Sequence, residues 1–244
     1  MRLLLLNPNT TQALTDRLAS SAAAVLPPDV ELLPATATKG FPYISSRAEA
    51  QIAGAAVLET MADRHGSVDA VAIAAFGDPG LCAARELFDL PVTGMAEASM
   101  ILSLSFGERF AFVTFSPALI PWYAEQVARV GLTARFAGAF VPQEDFGSVS
   151  DVAAEMRAPL VRTCLRAAAS ADVLILAGAP IAGLAAEIAG EVPAILMDPV
   201  QAAVLQAVAL YRMRPEGANL GSFARPPGKS GTGIAPALAG WMAR

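Results

Sequence analysis

The sequence is poor in the residues that build disulfide frameworks, metal sites and nucleic-acid surfaces. Its 244 residues include two cysteines, Cys82 and Cys164. Two isolated cysteines exclude a disulfide framework and give no metal-ligand spacing. Lysine and arginine number 17 against 22 aspartates and glutamates, for a net charge of −5, and no basic cluster occurs. A nucleic-acid partner is therefore not expected, because such a surface needs a basic stripe.

Long apolar runs are also missing. The opening run over residues 1–6 ends at Asn7 and Pro8, and glycine, proline or charged residues interrupt the alanine-rich stretches elsewhere. The opening run is too short for a secretory signal and too short to span a bilayer. We therefore expect no membrane partner and a cytoplasmic location.

What is present is an alternation of short apolar runs with helical patterns. Apolar residues make up 55% of the chain and charged residues only 16%, enough for a large core. Strands are predicted over residues 2–6, 30–34, 68–74, 91–93, 110–114, 135–141, 173–176 and 194–197. Helices are predicted over residues 12–25, 48–63, 81–88, 97–105, 117–130, 152–169, 184–188 and 200–213. This alternation predicts an α/β fold with parallel sheets flanked by helices.

Two segments, 69–81 and 172–184, resemble each other in pattern. Each opens with aspartate, continues as an apolar run, breaks at small residues and resumes at Gly-Leu. Ala75 and Gly178 hold equivalent positions just past the strand ends, where open α/β sheets bind ligands. The repeat predicts two pseudo-symmetric lobes around one cleft. We expect the first lobe over residues 1–97 plus about 205–244, and the second over 98–204.

Polar residues follow several predicted strands. Asn7, Asn9 and Thr10 lie between the first strand and its helix, where side chains and free amides bind ligand oxygens. The alternative is that Asn9 or Thr10 only caps the helix. Thr114 is the predicted counterpart of Asn7, and Ser116 adds a second hydroxyl at that strand end.

Two aspartates are further candidates for chemistry. Asp78 follows Gly77 in the first repeat and is either an acid/base group or a turn residue that bonds its own backbone. Asp198 follows the last strand and is either an acid/base group or the cap of the helix that Pro199 begins. The residues alone do not decide between these roles.

Five motifs in combination resemble the hydantoin racemase branch of the aspartate/glutamate racemase superfamily. They are Asn7-Pro-Asn-Thr10, Gly40-Phe-Pro with Ile44-Ser-Ser46, Ala74-Ala-Phe-Gly-Asp-Pro-Gly-Leu81, Gly94-Met-Ala-Glu-Ala98 and Met197-Asp-Pro-Val200. The resemblance spans residues 2 to about 210. It implies a two-lobed α/β isomerase that needs no metal or cofactor, acts on a small-molecule carbon acid and forms a homo-oligomer.

The same resemblance implies two facing cysteines that move the proton, and this chain has neither. Ala75 and Gly178 stand at the positions of the family cysteines. Inversion by two bases needs a proton acceptor on each face of the carbon, which a methyl group and a hydrogen cannot provide.

The rest of the implied pocket is retained. The amides of Phe76, Gly77 and Ala179 remain to hold a carboxylate or enolate oxygen. The resemblance also assigns hydrogen bonds to Asn7, Asn9, Thr114 and Ser116, and Thr10 is a further substrate-binding candidate. The pocket wall is expected to include Phe41, Tyr43, Phe115 and Trp122.

Three interpretations follow from this departure. The first is an isomerase-family enzyme that moves the proton with a non-cysteine group, the candidates in order being Asp78, Glu97, Asp198 and Tyr43. The second is a lyase similar to arylmalonate-type decarboxylases, with one carboxylate base and an enolate-binding hole. The third is a non-catalytic binding protein that kept the pocket.

Overall fold

The computed structural model describes residues 1–143 and 157–244. Within them, two four-stranded parallel sheets form from strands that follow one another along the chain. The first sheet contains β1 (Arg2–Asn7), β2 (Glu31–Thr36), β3 (Ala70–Ile73) and β4 (Val92–Gly94), in the order β2-β1-β3-β4. The second contains β5 (Phe110–Val113), β6 (Phe136–Phe140), β7 (Val173–Leu176) and β8 (Ile195–Met197), in the order β6-β5-β7-β8.

Helices connect and flank the strands. Those in the described residues are α1 (Gln12–Ala23), α2 (Arg47–Arg64), α3 (Leu81–Leu87), α4 (Met95–Ser103), α5 (Ile120–Val130), α6 (Arg157–Ala167), α7 (Leu184–Ile188), α8 (Pro199–Met213) and α9 (Pro236–Met242). The predicted α/β class with two pseudo-symmetric lobes is confirmed.

The central strands β3 and β7 explain why the apolar runs of the sequence predicted the fold. Every residue of β3 and β7 is buried, as expected for parallel strands covered on both faces by helices. The registers also match, because Leu6 pairs with Ile73 in the first sheet and Val113 with Leu176 in the second. The two sheets therefore present equivalent strand ends.

The helices that follow the last strand of each sheet cross to the other lobe. Helix α4 follows β4 and packs against β7, whereas α8 follows β8 and packs against β1, β3 and β4. The Thr93 hydroxyl donates to the Ala203 carbonyl oxygen at 2.9 Å, which joins β4 to α8. The predicted lobe boundaries, near residues 97 and 205, fall within these crossing helices.

Helix α4 shows how a long-range contact moves an element boundary. The sequence predicts its start at residue 97, but it starts at Met95. The two oxygens of Asp78 accept hydrogen bonds from the Ala96 and Glu97 amides, both at 2.8 Å. These are unpaired donors of a helix start, so a carboxylate distant in sequence allows the helix to begin directly after β4.

Most other predicted helices differ from the structure by one or two residues at an end, and two differ by more. A 3₁₀ turn occupies Pro117–Leu119, so α5 starts at Ile120 rather than 117. For the helix predicted over 152–169, the structure gives α6 from Arg157, and residues 152–156 lie outside the described part.

The chain after α8 returns to the first lobe. Helix α9 packs against α2, and Leu238 and Trp241 join a buried cluster with β1, β3 and α3. Among the described residues, none of the helices combines the length and apolar character that a bilayer crossing requires.

Candidate active site

The carboxyl ends of β3 and β7 meet at one cavity. The amides of Ala74 and Ala177 donate to the carbonyl oxygens of Leu6 and Val113, each at 2.8 Å. Ala75 and Gly178 are the next residues, and both line the cavity. The internal repeat of the sequence thus becomes two chain segments that face one space.

The cavity is small in this structure. Its volume is about 20 Å³, and its walls are Asn9, Tyr43, Ile44, Ala75, Phe76, Tyr123, Gly178 and Ala179. This space is of the order needed by one water molecule, roughly 10–15 Å³. A bound ring compound therefore requires the walls to move apart, and the loop over residues 37–46 brings two of them, Tyr43 and Ile44.

Tyr43 is a residue of the cavity wall that carries a hydroxyl. The hydroxyl is buried and has no hydrogen-bond partner among the described residues. Burial, and then the charge of Glu49, raise the pKa of Tyr43 above its ordinary value near 10. A capping box between Ser46 and Glu49 fixes the start of α2, immediately after the loop that carries Tyr43.

Ile44 and Tyr123 are the wall residues that were not predicted as site residues, and of the two only Tyr123 carries a hydroxyl. It lies on α5, and its ring packs on Phe76 at 4.7 Å between centroids. Burial raises its pKa, and the charges of Tyr43 and Asp78 raise it further, which indicates that the two tyrosine hydroxyls lie in one region. The available signal was the Trp122-Tyr123 pair close behind a strand end, although the pattern did not tell which ring faces the cavity.

The two strand ends differ in the room they leave for a side chain. Ala75 has an ordinary negative φ, whereas Gly178 has a φ of +149°. A Cβ atom added to Gly178 would lie 2.5 Å from Cε1 of Phe115. Phe115 therefore occupies the space that a side chain at position 178 would need, because such close approaches are not tolerated in packed interiors.

The predicted polar residues separate into two groups. Asn9 lines the cavity, whereas Asn7 is turned into the protein: its amide nitrogen donates to Asn9 Oδ1 at 3.0 Å and to Thr15 Oγ1 at 2.9 Å. Asn7 thus orients Asn9. Neither Asn9 nor Thr10 is the cap of α1. Thr11 holds the cap position, and Asn9 Oδ1 accepts from its amide.

The other predicted hydroxyls lie outside the cavity wall. Thr10 is exposed and Ser116 is partly buried. Thr114 is buried, and its hydroxyl has no partner among the described residues. Phe115, between Thr114 and Ser116, is the part of this segment that reaches the Gly178 strand end.

Asp78 is held against α4 and does not line the cavity. Its side chain is fully buried, and it has a left-handed φ of 51°. Burial raises the pKa of Asp78 to about 6, although the amides of Glu97 and Ala96 oppose this. Both carboxylate oxygens are already engaged, which is the geometry of an anchor for the loop after β3.

Glu97 and Asp198 are also engaged away from the cavity. Glu97 pairs with Arg85 at 2.6 Å and with Arg129 at 3.2 Å, so it links α3, α4 and α5. Asp198 caps α8 through the Val200 amide, and its other oxygen accepts from the Gly183 amide at 2.6 Å. The cap that the sequence offered as one role of Asp198 is therefore formed.

Gly77 lies under an aromatic ring on the outer side of the first loop. It has a φ of +108°, and a Cβ atom added there would lie 2.3 Å from the Trp122 ring. Trp122 and Gly77 line a separate cleft with Asp78, Cys82 and Arg129. In residues 1–143 and 157–244, no group of three or more His, Cys, Asp and Glu side chains lies close enough to hold a metal ion.

Two parallel-sheet lobes with a shared cavity at their strand ends define a class of α/β proteins that bind small molecules between pseudo-symmetric halves. Within this class, the chain belongs to the Asp/Glu/Hydantoin racemase family, whose model matches residues 3–207. The resemblance predicted from the motifs is thereby confirmed.

Individual relatives agree with this assignment. The chain is 30% identical to a hydantoin racemase of Paenarthrobacter aurescens over 234 residues, which is 94% of this chain and 99% of the relative. Its structure is similar to an allantoin racemase from Klebsiella pneumoniae, with a TM-score of 0.91, 30% identity and 98% of each chain covered. An allantoin racemase from Pseudomonas fluorescens gives a TM-score of 0.84 and 26% identity, over 96% of this chain and 100% of that one. These relatives place the chain among isomerases.

Proposed function

We propose that the protein is a cofactor-independent isomerase of a small carbonyl carbon acid of the hydantoin and allantoin type. In this proposal Tyr43, and not a cysteine pair, exchanges the proton with the substrate carbon. The observation that carries it is the buried Tyr43 hydroxyl, which has no partner among the described residues and belongs to the wall shared by Ala75 and Gly178.

An unpaired buried hydroxyl is costly and calls for a partner. Leaving a donor unsatisfied costs about 1–3 kcal/mol, and native proteins retain few such groups. A substrate that enters between the strand ends provides the missing partner at its carbonyl or its reacting carbon. The amides of Phe76 and Ala179, at the same two strand ends, are suited to hold an enolate oxygen.

The proposed proton transfer occurs on one face of the substrate. Tyr43 and Tyr123 are the titratable side chains of the described cavity wall, and their hydroxyls lie in one region. The ring of Phe115 covers Gly178 and packs against the Tyr43 ring, with 5.8 Å between centroids, so neither strand end brings a titratable group of its own. Exchange of the substrate proton with solvent is therefore expected to be faster than inversion of the carbon.

Proton NMR in deuterium oxide with an enantiopure 5-substituted hydantoin tests this proposal. The α-proton signal is expected to disappear faster than the optical rotation decays. Tyr43→Phe is expected to slow the exchange by about 10²-fold or more, within the usual range for a lost acid/base group. Tyr211 on α8 is the third tyrosine of the chain and lies outside the cavity wall, so Tyr211→Phe is the matched control. Equal rates of exchange and of racemisation would contradict one-sided transfer, and an unchanged rate in Tyr43→Phe would contradict the role of Tyr43.

The pH dependence of the exchange rate tests whether the tyrosinate form of Tyr43 removes the proton. Because burial raises the pKa of Tyr43 above its ordinary value near 10, the tyrosinate is a small fraction at pH 7. If removal of the proton by tyrosinate limits the rate, the rate rises about tenfold per pH unit from pH 7 to 10. A plateau near pH 8, typical of an unperturbed thiol, would contradict the tyrosine base.

Decarboxylation of a small malonate is the second candidate function. It is favoured by the raised pKa values of both cavity tyrosines, because loss of carbon dioxide leaves a carbanion that needs a proton donor and no base. In the same NMR experiment an aryl malonate would give a deuterated monoacid at a rate that is independent of pH between 7 and 10. Saturable line broadening without any reaction would instead support a binding protein.

A further inference from the structure

A second cavity shares no lining residue with the cavity between Ala75 and Gly178 and is independent of the proposed function. It has a volume of about 410 Å³ and opens between α3, β4, α8 and the chain that follows α8. We call it the α8 cavity, after the helix that provides Gln206, Leu210 and Met213 to its wall. Its volume falls within the roughly 300–1,000 Å³ of typical small-molecule sites.

The wall of the α8 cavity is mainly apolar. Leu210 and Met213 line one side, and Phe223 and Ala218 come from the returning chain on the other. Met213 is 81% exposed at the mouth, a degree of exposure that an occupant would reduce. Such a wall favours a ligand with an apolar ring or branched chain.

Gln206 lies between the α8 cavity and the groove lined by Ala209, and one of its polar atoms has no partner among the described residues. Gln206 Oε1 is buried and accepts no hydrogen bond from the described residues. Buried acceptors are normally satisfied, so this oxygen favours a ligand that carries an N–H or O–H donor.

The wall of the α8 cavity carries more positive than negative side chains. Arg85 and Arg214 line the cavity, and among its described lining residues Glu97 is the single carboxylate. Glu97 is shared, because it pairs with Arg85 at 2.6 Å and with Arg129 at 3.2 Å. Arg214 is exposed and donates to the Gly217 carbonyl at 2.8 Å, a neutral partner. The excess of positive charge favours an anionic ligand.

We propose that the α8 cavity binds a small amphipathic monoanion. Its apolar body packs on Leu210, Met213 and Phe223, its acidic group lies toward Arg214, and its N–H or O–H group donates to Gln206 Oε1. Neither Ala75 nor Gly178 takes part, so the site is distinct from the candidate active site. It touches that site indirectly, because Glu97 also donates its amide to Asp78 in the loop after β3.

Two fluorescent probes that differ by one charge test the proposal on the intact protein. 8-Anilinonaphthalene-1-sulfonate is an apolar anion with an N–H donor, and N-phenyl-1-naphthylamine is its neutral counterpart. Saturable binding of the anion is expected. Arg214→Gln should weaken the anion about tenfold, or about 1.4 kcal/mol, and leave the neutral probe unchanged. Equal weakening of both probes, or of neither, would contradict the role of charge.

Cavity-filling variants locate the probe. Leu210→Trp fills the cavity from α8, and Ala218→Trp fills it from the opposite wall should the first variant fold poorly. Ala209→Trp is the matched control, because Ala209 is the neighbouring residue of α8 and does not line the α8 cavity, although its own groove shares Gln206 with it. Both cavity variants should abolish anion binding, whereas the control should retain it. Equal loss in the control would mean adsorption to the helix surface and would overturn the proposal.

A second copy of the chain is the alternative occupant. In that case the wild-type protein would bind no probe, and Leu210→Trp would lower its association state in analytical ultracentrifugation. This result would also overturn the proposal.

Discussion

The loop after β3 and the loop after β7 begin and end alike but are held differently. Both end in a glycine with left-handed φ, Gly80 at +80° and Gly183 at +85°, directly before a short helix. Between these points the first loop has Asp78, a buried anchor for α4, where the second has the fully buried apolar Ile181. The two equivalent loops are therefore held in place by different contacts, a hydrogen-bonded carboxylate in the first and a buried apolar side chain in the second.

The loops also differ where they meet the cavity. Ala75 has an ordinary backbone conformation beside the small cavity, whereas Gly178 has a φ of +149° with the Phe115 ring against it. A side chain therefore meets different surroundings at the two strand ends. The first position remains open to a side chain and the second is closed.

Substituting cysteine should have a much larger effect at the second strand end than at the first. Gly178→Cys should lower the free energy of unfolding by about 2–4 kcal/mol, from a strained φ and from overpacking against Phe115. Urea denaturation measures this loss. Gly190→Cys is the matched control, since a Cβ atom at Gly190 meets nothing within 4 Å. Equal stability of the two variants would contradict the closed second position.

Removing the Phe115 ring should relieve the clash with a side chain at position 178, so that the two losses do not add. Phe115→Ala alone should cost about 3–5 kcal/mol because it leaves a cavity. In the double variant with Gly178→Cys, the loss in free energy of unfolding should be smaller than the sum of the two single losses. The expected difference is about 1–3 kcal/mol, the usual coupling of contacting residues. A double-mutant cycle measures this coupling. Strict additivity would mean that the ring is not what excludes the side chain.

Replacing the anchor of the first loop is the next effect. At pH 4, Asp78→Asn should cost about 1–3 kcal/mol, because an amide cannot accept both α4 hydrogen bonds. The native pKa of Asp78, about 6, exceeds its ordinary value of 3.8. The native state therefore holds the proton more tightly, and the stability that Asp78 contributes falls as pH rises from about 4 to 6.

The cost of Asp78→Asn should therefore shrink over the same pH range. Urea denaturation of wild type and variant at pH 4 and 7 measures the difference, with the exposed Asp63→Asn as control. A cost that grows with pH would mean that Asp78 is stabilised in its charged form and would contradict the assigned cause.

Substituting cysteine at the first strand end should have the smallest effect. Ala75→Cys adds one sulfur atom beside the existing cavity, and cysteine packs as a small apolar residue. The expected change is within about 1 kcal/mol, measured by the same urea denaturation. A loss as large as that of Gly178→Cys would remove the distinction between the two loops.

The fold was largely readable from the sequence because its strands are buried on both sides. The apolar runs of β3 and β7 predict buried strands, and the pattern that they share predicts the pseudo-symmetry. The start of α4 was missed because its cap, Asp78, precedes it by 17 positions and reaches it only in the folded chain. Local patterns do not carry such contacts.

The cavity wall was readable only in part. Tyr43 lies within one of the motifs, Phe76 and Ala179 lie just past two strand ends, and all three line the cavity. Tyr123 is on a helix whose rotation about its axis is set by packing, which sequence spacing does not give. The positive φ of Gly178 and the position of Phe115 are likewise properties of the folded backbone.

Phe115 against Gly178 also constrains the history of the chain. On the proposed equivalence with the family cysteines, the ring and a cysteine side chain exclude each other in this arrangement. The change to glycine must then have preceded, or coincided with, the inward position of the ring. Reversion at residue 75 needs one substitution, whereas reversion at residue 178 needs two that are each unfavourable alone. Descendants of this sequence would regain the first cysteine far more readily than the pair.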